Sequence, residues 1–376
     1  MEWMLYGATG YTGQNLATEA VRQGLRPVLA GRNPGALRHL AERLGCRWRA
    51  FEVSAVKAQH SILAGMRLVL NAAGPFSQTA DPLVDACLSM RCHYLDVTGE
   101  WNVIEAIAHR HAEAISVGAI LMPAVGFDVV PSDCLALWLA ERLPSAKLLQ
   151  IAFTADRAMS RGTAKTMIEG LLRGGRVRKN GRITAVPIGH KTRVIPFSNR
   201  PRKAVCLPWG DVASAWYTTG IGNIEVYAAL SGWQIAALRV LRGFIGKGLT
   251  KDENSGELTA KACWLRDCLW RILDRHFPNP RDTEDEASQA YFWGQVCDRT
   301  SGKTCEASLT TPGGYRLTVQ TALAAVRQIL QDPPSPGFWT PARAFGHDFI
   351  RRFDRVIWHG LSHHTSAYVE RTAGPI

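Results

Sequence analysis

Nine cysteines are scattered through the 376 residues without one CxxC pair. An odd number with no paired spacing excludes a closed disulfide framework and a zinc ribbon, and points to reduced thiols. No apolar run reaches the about 20 residues that a membrane-spanning helix needs. The best stretch, from Ala114 to Val130, is interrupted by Pro123, Gly126 and Asp128, and reads as a helix end followed by a buried strand. No helical Tyr-x-x-x-Lys pair follows the fourth strand, which argues against a short-chain dehydrogenase mechanism. No Ser or Cys stands in a nucleophile elbow. His109 and His111, two apart on a helix, point about 200° from each other, and His363 and His364 lie in a polar tail, so no metal site is expected. The first strand starts at Glu2, which leaves no room for a leader peptide. A cytoplasmic location is expected, with attachment to a membrane surface as the alternative.

What is present is ordinary globular composition, 46% hydrophobic and 20% charged, in a chain long enough for two domains. The net charge of +12 is unevenly placed. Between Arg161 and Lys203 stand twelve Lys and Arg residues and a single acid, Glu169. Such a concentration implies either a solvated basic face or an anionic neighbour, for example an acidic carrier protein or an anionic lipid surface. Few aromatics interleave with these charges, so nucleic acid is the least favoured partner.

The apolar run at residues 2–6 stops at Gly7-Ala8-Thr9-Gly10-Tyr11-Thr12-Gly13, and a helical pattern closed by Gly24 follows. Strand, glycine turn and helix come in the order a phosphate cradle requires. The glycines allow close backbone approach, and the amides at the helix start face a pyrophosphate. The second strand ends in Gly31-Arg32-Asn33, where NAD-preferring sites place a carboxylate for the ribose 2′-hydroxyl. Arg32 suits a 2′-phosphate instead, which favours NADP (NADPH) over NAD. Further strands are expected at 47–53, 67–71, 93–97 and 119–123, with helices at 37–44, 61–65, 79–90 and 103–117 between them. Asn71-Ala72-Ala73-Gly74-Pro75 follows the fourth strand, and its small residues would let the dinucleotide lie against the backbone. The fold class is α/β: an N-terminal Rossmann-type, doubly wound parallel sheet, with its ligand across the carboxyl ends of the strands.

Taken together, Gly7–Gly13, Ala30-Gly31-Arg32, Asn71–Phe76, Tyr94–Glu100 and Gly126-Phe127-Asp128 resemble the saccharopine dehydrogenase-like oxidoreductases. The chain is most similar to the short members that include trans-acting enoyl reductases. Weaker matches at Ser160–Thr163, Trp209–Asp211, Gly313–Tyr315 and Thr340–Ala342 extend the likeness over nearly the whole chain. The resemblance implies an NAD(P) domain, an inserted substrate domain and a last segment returning to the first. The implied division is 1–145, 146–330 and 331–376, the middle part being an α+β substrate and dimerisation domain; the apolar stripes around Trp233 and Trp264, with the prevalence of two-fold association, make a homodimer the expectation. The resemblance implies an oxidoreductase acting on C–N bonds in some members and on enoyl groups in others.

A strand at 146–155 leads into the second domain, and a hairpin is expected from 290–296 and 304–309. Apolar stripes around Trp233 and Trp264 fit packing on the protein's own sheet, a dimer contact, or a cover over a lipid-like substrate. Candidates for proton transfer or substrate contact are Tyr94, Asp96, Thr98, Asp128, Ser160 and Thr163, with Asp96 and Asp128 equally readable as caps on backbone amides. The function expected is NADPH-dependent reduction of a C=C or C=N bond in an apolar, lipid-like or carrier-bound substrate. The alternatives are an imine or amino-acid reductase of the saccharopine type, and a non-catalytic nucleotide- and lipid-associated protein.

Overall fold

The computed structural model describes residues 2–58, 60–156, 161–232, 234, 235, 238, 258–276 and 288–364. The helical stripe expected around Trp233 falls for the most part outside them, as does Ser160. The chain divides into two compact units, Met1–Val130 with Tyr315–Phe345, and Pro131–Gly314 with Gly346–Ile376.

In the first unit, strands and helices alternate: β1 (Trp3–Tyr6), α1 (Tyr11–Arg22), β2 (Val28–Gly31), α2 (Pro34–Leu44), β3 (Trp48–Ala50), α3 (Val53–Ala58), β4 (Leu68–Asn71), α4 (Phe76–Ser89), β5 (His93–Asp96), α5 (Trp101–Ala108), α6 (His111–Val117) and β6 (Ile120–Met122). Short apolar strands such as Leu68–Asn71 are buried along their whole length, as parallel strands covered on both faces must be.

The second unit begins with α7 (Val130–Arg142), β7 (Leu148–Ala155), α8 (Arg161–Leu172), β8 (Gly175–Lys179), β9 (Arg182–Val186), β10 (Thr192–Pro196), β11 (Pro201–Cys206), α9 (Asp211–Thr219), β12 (Asn223–Ala229), α10 (Ala260–His276), β13 (Gln289–Cys297) and β14 (Thr304–Pro312). The chain then returns to the first unit with α11 (Gly314–Gln331), β15 (Gly337–Phe338) and α12 (Pro341–Phe345), and ends on β16 (Ile357–His364) in the second.

Among the described residues the first unit holds a seven-stranded parallel sheet in the order β15-β6-β5-β4-β1-β2-β3. Strand order reverses between β1 and β4, which places a ligand crevice at the carboxyl ends of those strands. The core of this unit joins Leu16, Ala17 and Ala20 of α1 to Leu5, Leu29 and Leu70, and to Ala322, Leu323, Val326 and Ile329 of α11. That buried stripe, spaced at helical intervals, is why the return to the first unit begins at Tyr315, whereas the family resemblance placed it at 331.

Several sequence expectations shift in extent. The strand at 47–53 shortens to β3, and residues from Val53 form α3. The helix at 61–65 is a 3-10 turn at His60–Leu63. The helix at 103–117 is two helices, parted where Arg110 bonds Asp85 at 2.8 Å and pairs with Glu113. The helix at 79–90 starts earlier, at Phe76, because a distant carboxylate caps it.

The second unit's mixed sheet runs β10-β11-β12-β7-β13-β14-β16, with β8 pairing β12 and β9. The hairpin read from sequence is present with longer arms. Its Gly294 packs so closely on Leu135 and Leu139 of α7 that an added Cβ would lie 2.7 Å from Leu139. No helix among the described residues is long and apolar enough to cross a membrane.

Candidate dinucleotide site

The carboxyl edge of the parallel sheet gathers most of the residues singled out from sequence. Gly7 follows β1 with φ +84, a conformation L side chains rarely adopt, and a Cβ there would lie 2.7 Å from the Ala73 amide nitrogen. Gly13 is more constrained still, since its Cβ would lie 2.1 Å from the Gly7 carbonyl oxygen. Gly10 is the N-cap of α1 and donates its amide to that carbonyl at 3.0 Å. Ala8 is buried, whereas Thr9, Tyr11 and Thr12 are half-buried around the turn. The ring of Tyr11 meets that of Tyr315 edge-on at 4.9 Å.

The helix ends at this edge are treated differently. Asn33 caps α2, accepting the Ala36 amide at 3.0 Å. Glu100 caps α4, accepting the amides of Phe76 at 2.8 Å and Ser77 at 2.9 Å. The N-cap of α1 is Gly10, which has no side chain to offer, and its first turn holds no acid. A helix that starts at a glycine, above a backbone that only glycine can form, fits a dinucleotide pyrophosphate. Arg32 is exposed just past β2 and Gly31. It lies near Tyr6, whose hydroxyl burial pushes up to about 12 and the Arg32 guanidinium pulls the other way.

After β4, Asn71 is fully buried. Its Oδ1 accepts the Ala73 amide at 3.0 Å, and its Nδ2 donates to Thr79 at 3.0 Å and to the Tyr94 hydroxyl at 3.2 Å. Ala72 donates its amide to the Tyr6 carbonyl at 2.8 Å, while Gly74 is exposed and the Gly74–Pro75 peptide is cis.

Tyr94 and Asp96 are both fully buried. The Tyr94 hydroxyl donates to Asp96 Oδ2 at 2.9 Å, while Asp96 Oδ1 accepts the amides of Thr98 at 3.0 Å and Ala124 at 2.8 Å. Burial pushes the Asp96 carboxyl up to about 6 against the pull of those donors. Ala124, at φ +61, is held in its left-handed conformation by this bond and by the next amide, Val125, which donates to the Asp96 carbonyl at 2.8 Å. Thr98 accepts the Glu100 amide at 3.0 Å.

Asp128 lies over Gly99, where an added Cβ would be 2.9 Å from its Oδ2. It keeps some solvent contact, yet burial pushes its carboxyl up to about 7. Next to it, Phe127 donates its amide to Thr318 of α11 at 3.0 Å. Thr163 stands in α8 of the second unit, and its side chain is outside the described residues.

Sequence reading did not foresee the cap made by Glu100 or the parts played by Thr79, Ala124, Tyr315 and Thr318. Apart from those of Thr79, their partners lie far off in the chain, so no local pattern announces them. His111 accepts the Phe338 amide on its Nδ1 at 3.0 Å, and His93 accepts that of Ile120 on its Nδ1 at 3.1 Å.

The basic stretch is largely occupied within the second unit. Arg173 pairs with Glu169 at 2.6 Å, Lys165 with Asp274 at 2.7 Å, Lys191 with Glu225 at 2.7 Å and Arg202 with Asp156 at 3.3 Å. Arg178 is buried, donating to the carbonyls of Val212 and Gly181. Arg193 bonds Gln150 and Gln295 and stacks on Trp293. Among the described side chains of the stretch, Lys179, Arg182, Arg200 and Lys203 are exposed.

Residues 3–122 match the family model described as saccharopine dehydrogenase NADP binding domain. A probable mitochondrial saccharopine dehydrogenase-like oxidoreductase of Arabidopsis thaliana is 26% identical over 55% of this chain and 48% of its own length. A trans-acting enoyl reductase of Mycobacterium ulcerans is 37% identical over 35% of this chain and 34% of its own. These matches thus span about half and about a third of those two relatives. A saccharopine dehydrogenase-like oxidoreductase of Mus musculus is 23% identical over 95% of both chains. Among solved structures, saccharopine dehydrogenase (L-Glu forming) from Saccharomyces cerevisiae shares the fold, with a TM-score of 0.62 and 13% identity over 96% of this chain and 99% of that one.

Proposed function

This chain belongs to the saccharopine dehydrogenase-like family of NAD(P)-dependent oxidoreductases, and from that footing we propose that it is an NADPH-dependent reductase of a C=C or C=N bond in an apolar substrate. The Gly7–Gly13 backbone, closed to any Cβ at Gly7 and Gly13 and leading into the Gly10-capped start of α1, carries the reading. The amides there would hold the pyrophosphate, and exposed Arg32 would meet a 2′-phosphate. The turn at Ala72–Pro75 offers small side chains to the other half of the dinucleotide. When bound, the reduced nicotinamide supplies hydride.

The protein's own task is then to orient the acceptor carbon and to hold a proton nearby. Asp128 is suited to that second task, because burial leaves a large share of its carboxyl protonated at neutral pH. Thr163 is a candidate for contact with substrate. Likeness over part of the chain to proteins named trans-acting enoyl reductases supports C=C as the first bond to try. An apolar acyl group carried on an acidic protein or an anionic lipid surface would meet the exposed cations Lys179, Arg182, Arg200 and Lys203.

The test is loss of NADPH absorbance with three substrates: an α,β-unsaturated acyl thioester of coenzyme A, the same acyl group on an acidic carrier protein, and a cyclic imine. The expected result is turnover of the thioesters, faster on the carrier at low salt than at high salt. Turnover of the imine alone would move the assignment to C=N chemistry on a small soluble substrate. Binding of NADPH without turnover of any of the three would favour a non-catalytic role.

A further inference from the structure

A single-file chain of hydrogen bonds runs beneath the dinucleotide edge, from the end of β5 to the turn after β4. Tyr6, Asn71 and Asp96 are register neighbours across β1, β4 and β5. Between the last two stands the hydroxyl of Tyr94, with all three of Asn71, Tyr94 and Asp96 fully buried.

The chain has one sense. An ionised Asp96 can only accept, so the Tyr94 hydroxyl must donate to it, at 2.9 Å. That leaves Tyr94 a lone pair, which takes a proton of Asn71 Nδ2 at 3.2 Å. The amide orientation of Asn71 is thereby settled, and its Oδ1 faces the Ala73 amide at 3.0 Å. The second Nδ2 proton goes to Thr79 Oγ1 at 3.0 Å, and Thr79 passes its own proton to the Ala73 carbonyl at 2.6 Å. Both polar backbone atoms of Ala73 are thus fixed by this chain. Ala73 is also the residue against which Gly7 packs, so its position decides the width of the gap between the turns after β1 and β4.

We propose that Tyr94 is a positioning residue, whose buried hydroxyl fixes the turn Ala72–Pro75 in the shape that receives the nicotinamide half of the dinucleotide. The adenosine half is addressed by other elements, the start of α1 and the end of β2 with Arg32. Removing the hydroxyl takes from Asn71 one of the bonds that set its amide orientation, and so loosens its hold on Ala73. Tyr94 itself need not touch cofactor or substrate for this to matter.

The inference rests on the carboxyl edge being the dinucleotide site, and the test separates the two. NADPH and adenosine 2′,5′-bisphosphate, which carries only the adenosine half, are titrated into the wild-type chain and into Tyr94→Phe and Thr79→Val, with thermal unfolding of each recorded. The expected result is about tenfold weaker NADPH binding by each variant, with adenosine 2′,5′-bisphosphate binding changed by less than about twofold. A merely structural role would weaken both ligands alike or neither, and either outcome overturns the proposal. If Tyr94→Phe does not fold, Thr79→Val decides by the same criterion, because it cuts the chain at its half-buried outer end. A wild type that binds neither ligand overturns the site assignment itself.

Discussion

Asp96 and Asp128 both lie at the sheet edge with burial raising their carboxyls, yet their surroundings differ. Asp96 has hydrogen-bond donors on both oxygens and clamps two backbone amides. For Asp128 burial is the cause of the shift, and its carboxyl reaches about 7. Because folding favours the neutral form, the associated stability is fully present below about pH 4, the ordinary carboxylate range, and is lost as pH rises through about 7. Asp128→Asn removes the buried ionisation, so urea unfolding at pH 8 should show the variant more stable by about 2 kcal/mol, with the gain vanishing at pH 4. If Asp128 also supplies the proton, wild-type kcat should fall above pH 7, and the variant should be slow at every pH. A variant with unaltered kcat would assign that proton to water.

At the scale of elements, helix ends explain most of what differs between sequence and structure. The α2 helix, expected from residue 37, starts at Pro34, where Asn33 is the cap and the proline opens the first turn. The α1 start was legible in its glycines. The α4 start was not, because its cap is Glu100, 24 residues on, and no local pattern carries that information. Glu100→Ala should therefore cost about 1–2 kcal/mol in urea unfolding, through the buried amide of Phe76 and the half-buried amide of Ser77 left without their acceptor. A change below about 0.5 kcal/mol would mean that water replaces the carboxylate. The same limit hid the role of Thr318 in α11, which receives an amide from Phe127 across 191 residues, whereas the helical spacing of Ala322, Leu323, Val326 and Ile329 is local. Strand, turn and helix are local and periodic, so the glycine turn between β1 and α1 and the alternation of a parallel sheet with helices could be read. The buried Asn71–Tyr94–Asp96 chain joins three strand ends and appears only once their register is known.

Over the whole molecule the charge pattern teaches a related lesson. A run of twelve cations with one acid reads as a surface, but Arg173, Arg178 and Arg193 are absorbed by Glu169, backbone carbonyls and Trp293. Their acceptors lie partly on other strands, out of sight of a count along the chain. Apolar exposure is instead found on α10, where Trp264 is 65% and Ile272 56% exposed. Self-association through the second unit would bury such side chains, and light scattering should then return twice the chain mass of 41.3 kDa. A monomer at micromolar concentration would count against it. The central claim, an NADPH-dependent enzyme whose cofactor is held at the edge of the parallel sheet, is tested most directly by fluorescence titration of NADPH and NADH into the wild type and Arg32→Asp. NADPH should bind the wild type at least about tenfold tighter than NADH, and Arg32→Asp should abolish that preference by weakening NADPH alone. Equal loss of both cofactors in the variant, or a wild type that prefers NADH, would contradict it.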